Sequence, residues 1–149
     1  MGYKWTRTGY SGFDWPNWGI TRQEINPYQD KAITALAENG IEIILILEYG
    51  DAKMAAEPYW VFKEEEQIQG FLDQAQFIVH HFKDRVEYYE ISSEPELVDF
   101  GKPFIEVADY INLVRRVVPV IRQEYPEAKI VIHAPALYTK TTFGNTSLK

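Results

Sequence analysis

Four short apolar runs recur along the chain, and their spacing constrains the fold more than any other feature. They are Tyr3–Thr6 (YKWT), Ile41–Leu47 (IEIILIL), Val86–Ile91 (VEYYEI) and Lys129–His133 (KIVIH), and they start roughly forty residues apart. An uninterrupted run such as IILIL implies burial on both faces, as in parallel strands. Helical patterns fill the gaps. The first covers Pro27–Asn39, with Asn26 as N-cap, Pro27 at the first helical position and Gly40 just past the end. The second covers Lys63–Lys83, where Ile68, Phe71, Leu72, Ala75, Ile78 and Phe82 recur at three and four. Its acidic start, Glu64–Glu66, suits the positive end of the helix dipole and reads as a solvated helix start. The third covers Pro103–Tyr125, with a stripe of Phe104, Val107, Ile111, Val114, Val118 and Ile121; Pro119 is expected to kink or shorten it.

The resulting order, β-α-β-α-β-α-β with helix-length crossovers, predicts a parallel α/β architecture. Periodicity alone leaves two solutions open, a doubly wound open sheet and an arc of a (β/α)₈ barrel. The 149 residues suggest one domain, and 46% hydrophobic with 25% charged residues suffices for a sizeable core. The tail Tyr138–Lys149 has no periodicity.

Composition narrows the partners. The formal net charge of -7 disfavours a phosphate backbone, so no nucleic-acid partner is expected. With no cysteine there is no disulfide framework or thiol chemistry. His80 and His81 are adjacent on a helix and cannot share a face. No metal-ligand spacing, phosphate loop or nucleophile elbow is present, so neither metal nor cofactor is expected. The run Ile41–Leu47 is too short to span a bilayer, and MGYKWTR is not a signal-peptide start, so no membrane partner is expected and the location stays open. Aromatics are abundant at 15%, and Trp15, Trp18, Tyr59 and Trp60 fall in segments that would be loops after strands. Such rings can face a sugar or simply pack half-buried.

The most informative stretch is Tyr88-Tyr89-Glu90-Ile91-Ser92-Ser93-Glu94-Pro95, a carboxylate directly after an apolar strand. In parallel α/β folds, reacting groups project from the C-terminal ends of strands, and Pro95 biases Glu94 toward extended backbone. The stretch resembles the Trp-Glu-Ile-Trp-Asn-Glu-Pro signature on the fourth strand of clan A retaining glycoside hydrolases, TIM barrels that act on β-linked sugars. Three other segments resemble the same family in the same order: Lys4-Trp5-Thr6-Arg7 its second strand, Ile44–Gly50 its third strand and loop, and Tyr125–Val131 its turn into the fifth.

The resemblance implies a partial (half) TIM barrel of four β/α units across residues 1–137, with 138–149 as a tail. It implies that Glu94 is the general acid/base and that Arg7 holds the nucleophilic carboxylate, with Ser93, Trp15, Trp18, Trp60 and His133 facing the sugar. Read from the residues alone, Glu94 can be an ordinary strand-end glutamate and Arg7 a structural ion-pair partner, and a structural histidine is the favoured reading of His133. Ser93 stands where the family has an asparagine that contacts the sugar 2-hydroxyl, and serine lacks the amide donor. A TIM barrel needs about 250 residues. The family's nucleophile follows a seventh strand that this chain does not supply; Glu90 reads as a buried polar partner rather than as a substitute. The expected function is therefore a portion of a retaining glycoside hydrolase that is weak or inactive by itself, the alternatives being a non-catalytic carbohydrate-binding relic or a plain α/β scaffold. A four-strand arc has two open edges, so self-association into a homodimer that completes a barrel, or into a larger oligomer, is expected, the alternative being that the tail from Tyr138 folds over the open side.

Overall fold

The structure is a computed structural model and describes residues 2–10, 21, 23–52, 54, 62–93, 98, 99, 102, 103 and 105–132. The elements are β1 (Trp5–Tyr10), α1 (Pro27–Glu38), β2 (Glu42–Leu47), α2 (Glu65–Phe82), β3 (Tyr88–Ile91), β4 (Val98–Asp99), β5 (Lys102–Pro103), α3 (Val107–Glu124) and β6 (Lys129–Ile132). The four main strands form one parallel sheet in the order β1-β2-β3-β6.

That order settles the choice periodicity left open. Each new strand is added on the same side of the last, and right-handed crossovers then place every helix on one face. The core agrees: Ile33 of α1, Phe71, Ala75, Ile78 and Phe82 of α2, and Leu113, Val117 and Ile121 of α3 are buried with the odd-numbered strand residues Ile43, Leu45, Leu47, Tyr89 and Ile91. A doubly wound sheet would divide its helices between two faces. The fold is a partial α/β barrel, covered by helices outside and bearing the even-numbered residues of β2 and β3 on its inner face.

Local chemistry explains the helix starts. Asn26 Oδ1 accepts the backbone N–H of Tyr28 at 2.9 Å and of Gln29 at 3.3 Å, and Pro27 lacks the N–H that a first-turn residue would leave unpaired. At α2 the buried Gln67 folds back, its Oε1 accepting the N–H groups of Lys63 at 3.0 Å and Glu64 at 3.3 Å. Gly40 leaves α1 with φ of 71°, a left-handed turn that favours glycine.

Four features differ from the sequence reading. β1 is Trp5–Tyr10 rather than Tyr3–Thr6, because its extent is set by pairing with β2, from Trp5 opposite Glu42 to Tyr10 opposite Leu47, and not by its own apolar content. α3 buries Leu113, Val117 and Ile121, with Val114 and Val118 of the expected stripe packed partly buried beside them, while Val107 is 72% and Ile111 43% exposed. Both stripes run at helical spacing and share Ile121, so packing against α2 chose the face. Pro119 sits inside α3, which continues to Glu124; the proline is solvent-exposed, so the carbonyl that loses its donor can turn to water. The short antiparallel pair β4–β5 carries no alternating pattern from which it could be read.

Candidate active site

The inner face is ordered in layers. Arg7, Ile44, Tyr88 and Lys129 lie side by side across the four strands, and Gly9, Ile46, Glu90 and Val131 form the next layer toward the strand C-termini. Such layers are how parallel barrels fill their interiors. In the lower layer the Trp5 ring meets Tyr88 edge-on at 5.0 Å, and Lys129 Nζ stands 4.5 Å above the Tyr88 ring.

Between the layers lies an ion pair. Glu90, 3% exposed, accepts from Arg7 Nε at 2.7 Å through Oε2 and from Nη2 at 2.8 Å through Oε1. This two-point geometry fixes the plane of the guanidinium, which a lysine could not reproduce. Arg7 lies three residues before the end of β1 and reaches obliquely across β2, so its head, rather than its backbone, arrives near the C-terminal end of β3. Nη2 also lies 3.5 Å from Ser93 Oγ.

The exit from β3 is held from two sides. Ser92 donates its N–H to the Leu47 carbonyl at 3.0 Å, extending the β2–β3 ladder past the strand. Tyr110 of α3 donates its hydroxyl to the Ile91 carbonyl at 2.8 Å. Ser92 has φ of 58°, a left-handed conformation that costs a non-glycine residue about 1 kcal/mol or more and that the surrounding bonds enforce. The chain therefore leaves β3 in a set direction at Ser93.

Glu48 joins this group, and the sequence reading did not include it in the site. It follows Leu47 and continues the even-numbered series Ile44, Ile46, so its side chain falls on the inner face; that period-two pattern was the signal available. Its carboxyl lies over Gly9, where an added Cβ would sit 3.3 Å from Oε2. Burial pushes the Glu48 carboxyl above the usual glutamate range, the Arg7 guanidinium draws it back, and Glu90 adds to the upward push.

Of the residues named from the sequence, the structure brings Arg7 and Ser93 together. Glu94, Trp15, Trp18, Tyr59, Trp60 and His133 lie outside the described residues, as does the tail 138–149. Among the described residues no three His, Asp or Glu side chains are placed to hold a metal ion, and no helix is long and apolar enough to cross a membrane. A cavity of about 420 Å³ lined by Gly40, Glu42, Lys83 and Tyr125 lies at the opposite, N-terminal end of the strands, where parallel α/β folds place stabilising loops.

No protein-family model matches the chain. Among solved structures, it resembles a family 39 glycoside hydrolase from the gut symbiont Bacteroides cellulosilyticus WH2, with a TM-score of 0.64 and 20% sequence identity over 88% of this chain. The match spans 26% of that protein, so this chain corresponds to about a quarter of its length. At that identity the likeness shows a shared fold.

Proposed function

We propose that this chain is a portion of a retaining glycoside hydrolase acting on β-linked sugars, with Glu94 as general acid/base. The observation that carries the reading is the Arg7–Glu90 pair, a guanidinium held in a fixed plane on the inner face beside Ser93, the residue before Glu94. The fold likeness to a glycoside hydrolase supports it.

A retaining mechanism needs two carboxyl groups about 5–5.5 Å apart, one protonated acid and one nucleophile. In this reading Glu94 protonates the leaving oxygen and later deprotonates the attacking water. Arg7, oriented by Glu90, presents its guanidinium to a nucleophilic carboxylate from units beyond β6. Ser93 gives a shorter and weaker contact to the sugar than an asparagine would. The isolated chain is then a poor catalyst that keeps part of a sugar-binding surface.

The assay is turnover of aryl β-glycosides together with direct saccharide titration. Turnover near the uncatalysed rate is expected, with weak saccharide binding that Glu94→Gln alters. Rapid turnover abolished by Glu94→Gln would overturn the account of a missing nucleophile. Absence of any saccharide binding would overturn the sugar reading itself.

The same incompleteness bears on assembly. Among the described residues β1 pairs only with β2, and β6 only with β3. Two copies about a twofold axis parallel to the strands would place β1 beside the partner's β6 in parallel, and eight strands close a small barrel. Light scattering across a concentration series should give a mass approaching twice 17.4 kDa; a mass fixed near 17.4 kDa would rule the homodimer out.

A further inference from the structure

We propose that Glu48 is a specificity-determining residue whose carboxyl receives two neighbouring hydroxyl groups of the bound saccharide. The inference rests on the glycoside reading and adds to it a residue that the sequence motifs did not single out.

A Cβ at Gly9 would stand 3.3 Å from Glu48 Oε2, 3.7 Å from Cδ and 3.9 Å from Oε1, so the carboxyl group lies over this point of β1 and a methyl group would press on Oε2 alone, by a few tenths of an ångström. Glycine at this point leaves Oε2 that last clearance. Glu48 lies one residue beyond β2, on the inner face and at the C-terminal end of the sheet, the end at which the chain leaves β3 toward Glu94.

Its surroundings do not satisfy it. Arg7 is close enough to act on the Glu48 charge, but its Nε and Nη2 donate to Glu90, and among the described residues neither Glu48 oxygen accepts a hydrogen bond. Glu48 is only partly buried and its oxygens are not sealed from solvent, so water meets them in place of a protein donor. A partner from outside that brings O–H groups can take the place of that water. Adjacent hydroxyls of a pyranose ring suit this, because they are two donors on neighbouring carbons and a carboxylate offers two acceptor oxygens at matching separation. An apolar or phosphorylated ligand would leave the carboxyl unsatisfied or repelled.

The test uses the full chain and a defined probe, methyl β-D-xylopyranoside, with its monodeoxy analogues, titrated by NMR against the parent, Glu48→Gln and Gly9→Ala. Two analogues should bind the parent about tenfold more weakly than the full sugar. Glu48→Gln should weaken binding of the full sugar by about tenfold and abolish its advantage over those two analogues. Gly9→Ala, which displaces the carboxyl but keeps its charge, should act in the same direction and serves as the second readout if Glu48→Gln does not fold. Unchanged affinity and an unchanged analogue pattern in the variants would overturn the role of Glu48 while leaving the glycoside reading intact. Failure of the parent to bind this probe or other methyl β-glycosides would overturn that reading, and this inference with it.

Discussion

Gly70 provides a test of how the end of β2 is held in place. It lies inside α2, where alanine is ordinarily favoured over glycine by about 1 kcal/mol. Here a Cβ would sit 2.7 Å from Cε2 of Tyr49, with Cζ and the hydroxyl closer still. Carbon atoms in contact prefer about 3.5–4.0 Å, so the ring must retreat by roughly 1 Å. Tyr49 is half-buried, and burial also raises the pKa of its hydroxyl, so the ring has little free space around it. Forcing one extra carbon into a packed contact costs about 1–3 kcal/mol. Set against the helix gain of ~1 kcal/mol, Gly70→Ala should destabilise by up to about 2 kcal/mol. That is a fall of several degrees in Tm for a domain of this size. In a Tyr49→Ala background the obstruction is gone, and Gly70→Ala should stabilise by about 1 kcal/mol. Urea unfolding of the four proteins reads this change of sign as a coupling energy. Because Tyr49 follows Glu48, amide shifts of Glu48 and Gly50 should also move in Gly70→Ala. A stabilisation of about 1 kcal/mol in both backgrounds would refute the close contact and the reasoning built on it.

Three further outcomes are expected. Arg7→Met removes two charge-assisted bonds from the buried Glu90 and should cost about 3 kcal/mol, toward the low end for a broken buried pair because Arg7 is half exposed; adding Glu90→Leu should recover much of the loss in urea unfolding. Gln74 is 2% exposed and among the described residues neither end of its amide is hydrogen-bonded, so Gln74→Met should raise stability by about 1–3 kcal/mol, and a loss of stability would reveal a hidden partner such as an ordered water. Asp30 is held below its ordinary value of 3.8 by a hydrogen bond from His81 and by Arg85. A lowered native pKa stabilises the fold above the unfolded value and is lost as pH falls through the native one. Asp30→Asn should therefore destabilise at pH 7, and its gap from the parent in denaturant midpoints should narrow as the pH is taken below 3.8.

What the sequence determined by itself is the succession of the sheet's strands and the three helices. Apolar runs for β2, β3 and β6, the Asn26-Pro27 start of α1 and the stripe of α2 are local signals, because backbone capping and one-sided burial depend on residues a few positions apart. The same locality explains the failures. The last four residues of β1, Arg7-Thr8-Gly9-Tyr10, have no apolar alternation and are strand only because β2 lies beside them. The buried face of α3 was decided by contact with α2, since two stripes were equally periodic. The choice of barrel arc over doubly wound sheet required the strand order, which is a relation among segments tens of residues apart. In the candidate site, strand parity alone put Glu90 on the inner face. That Arg7 from a strand two positions away would meet it, and that the Glu48 carboxyl would lie over Gly9, depended on register between strands. Register is set by helices packing on the outer face, so the chemistry of the inner face follows from contacts on the other side of the sheet.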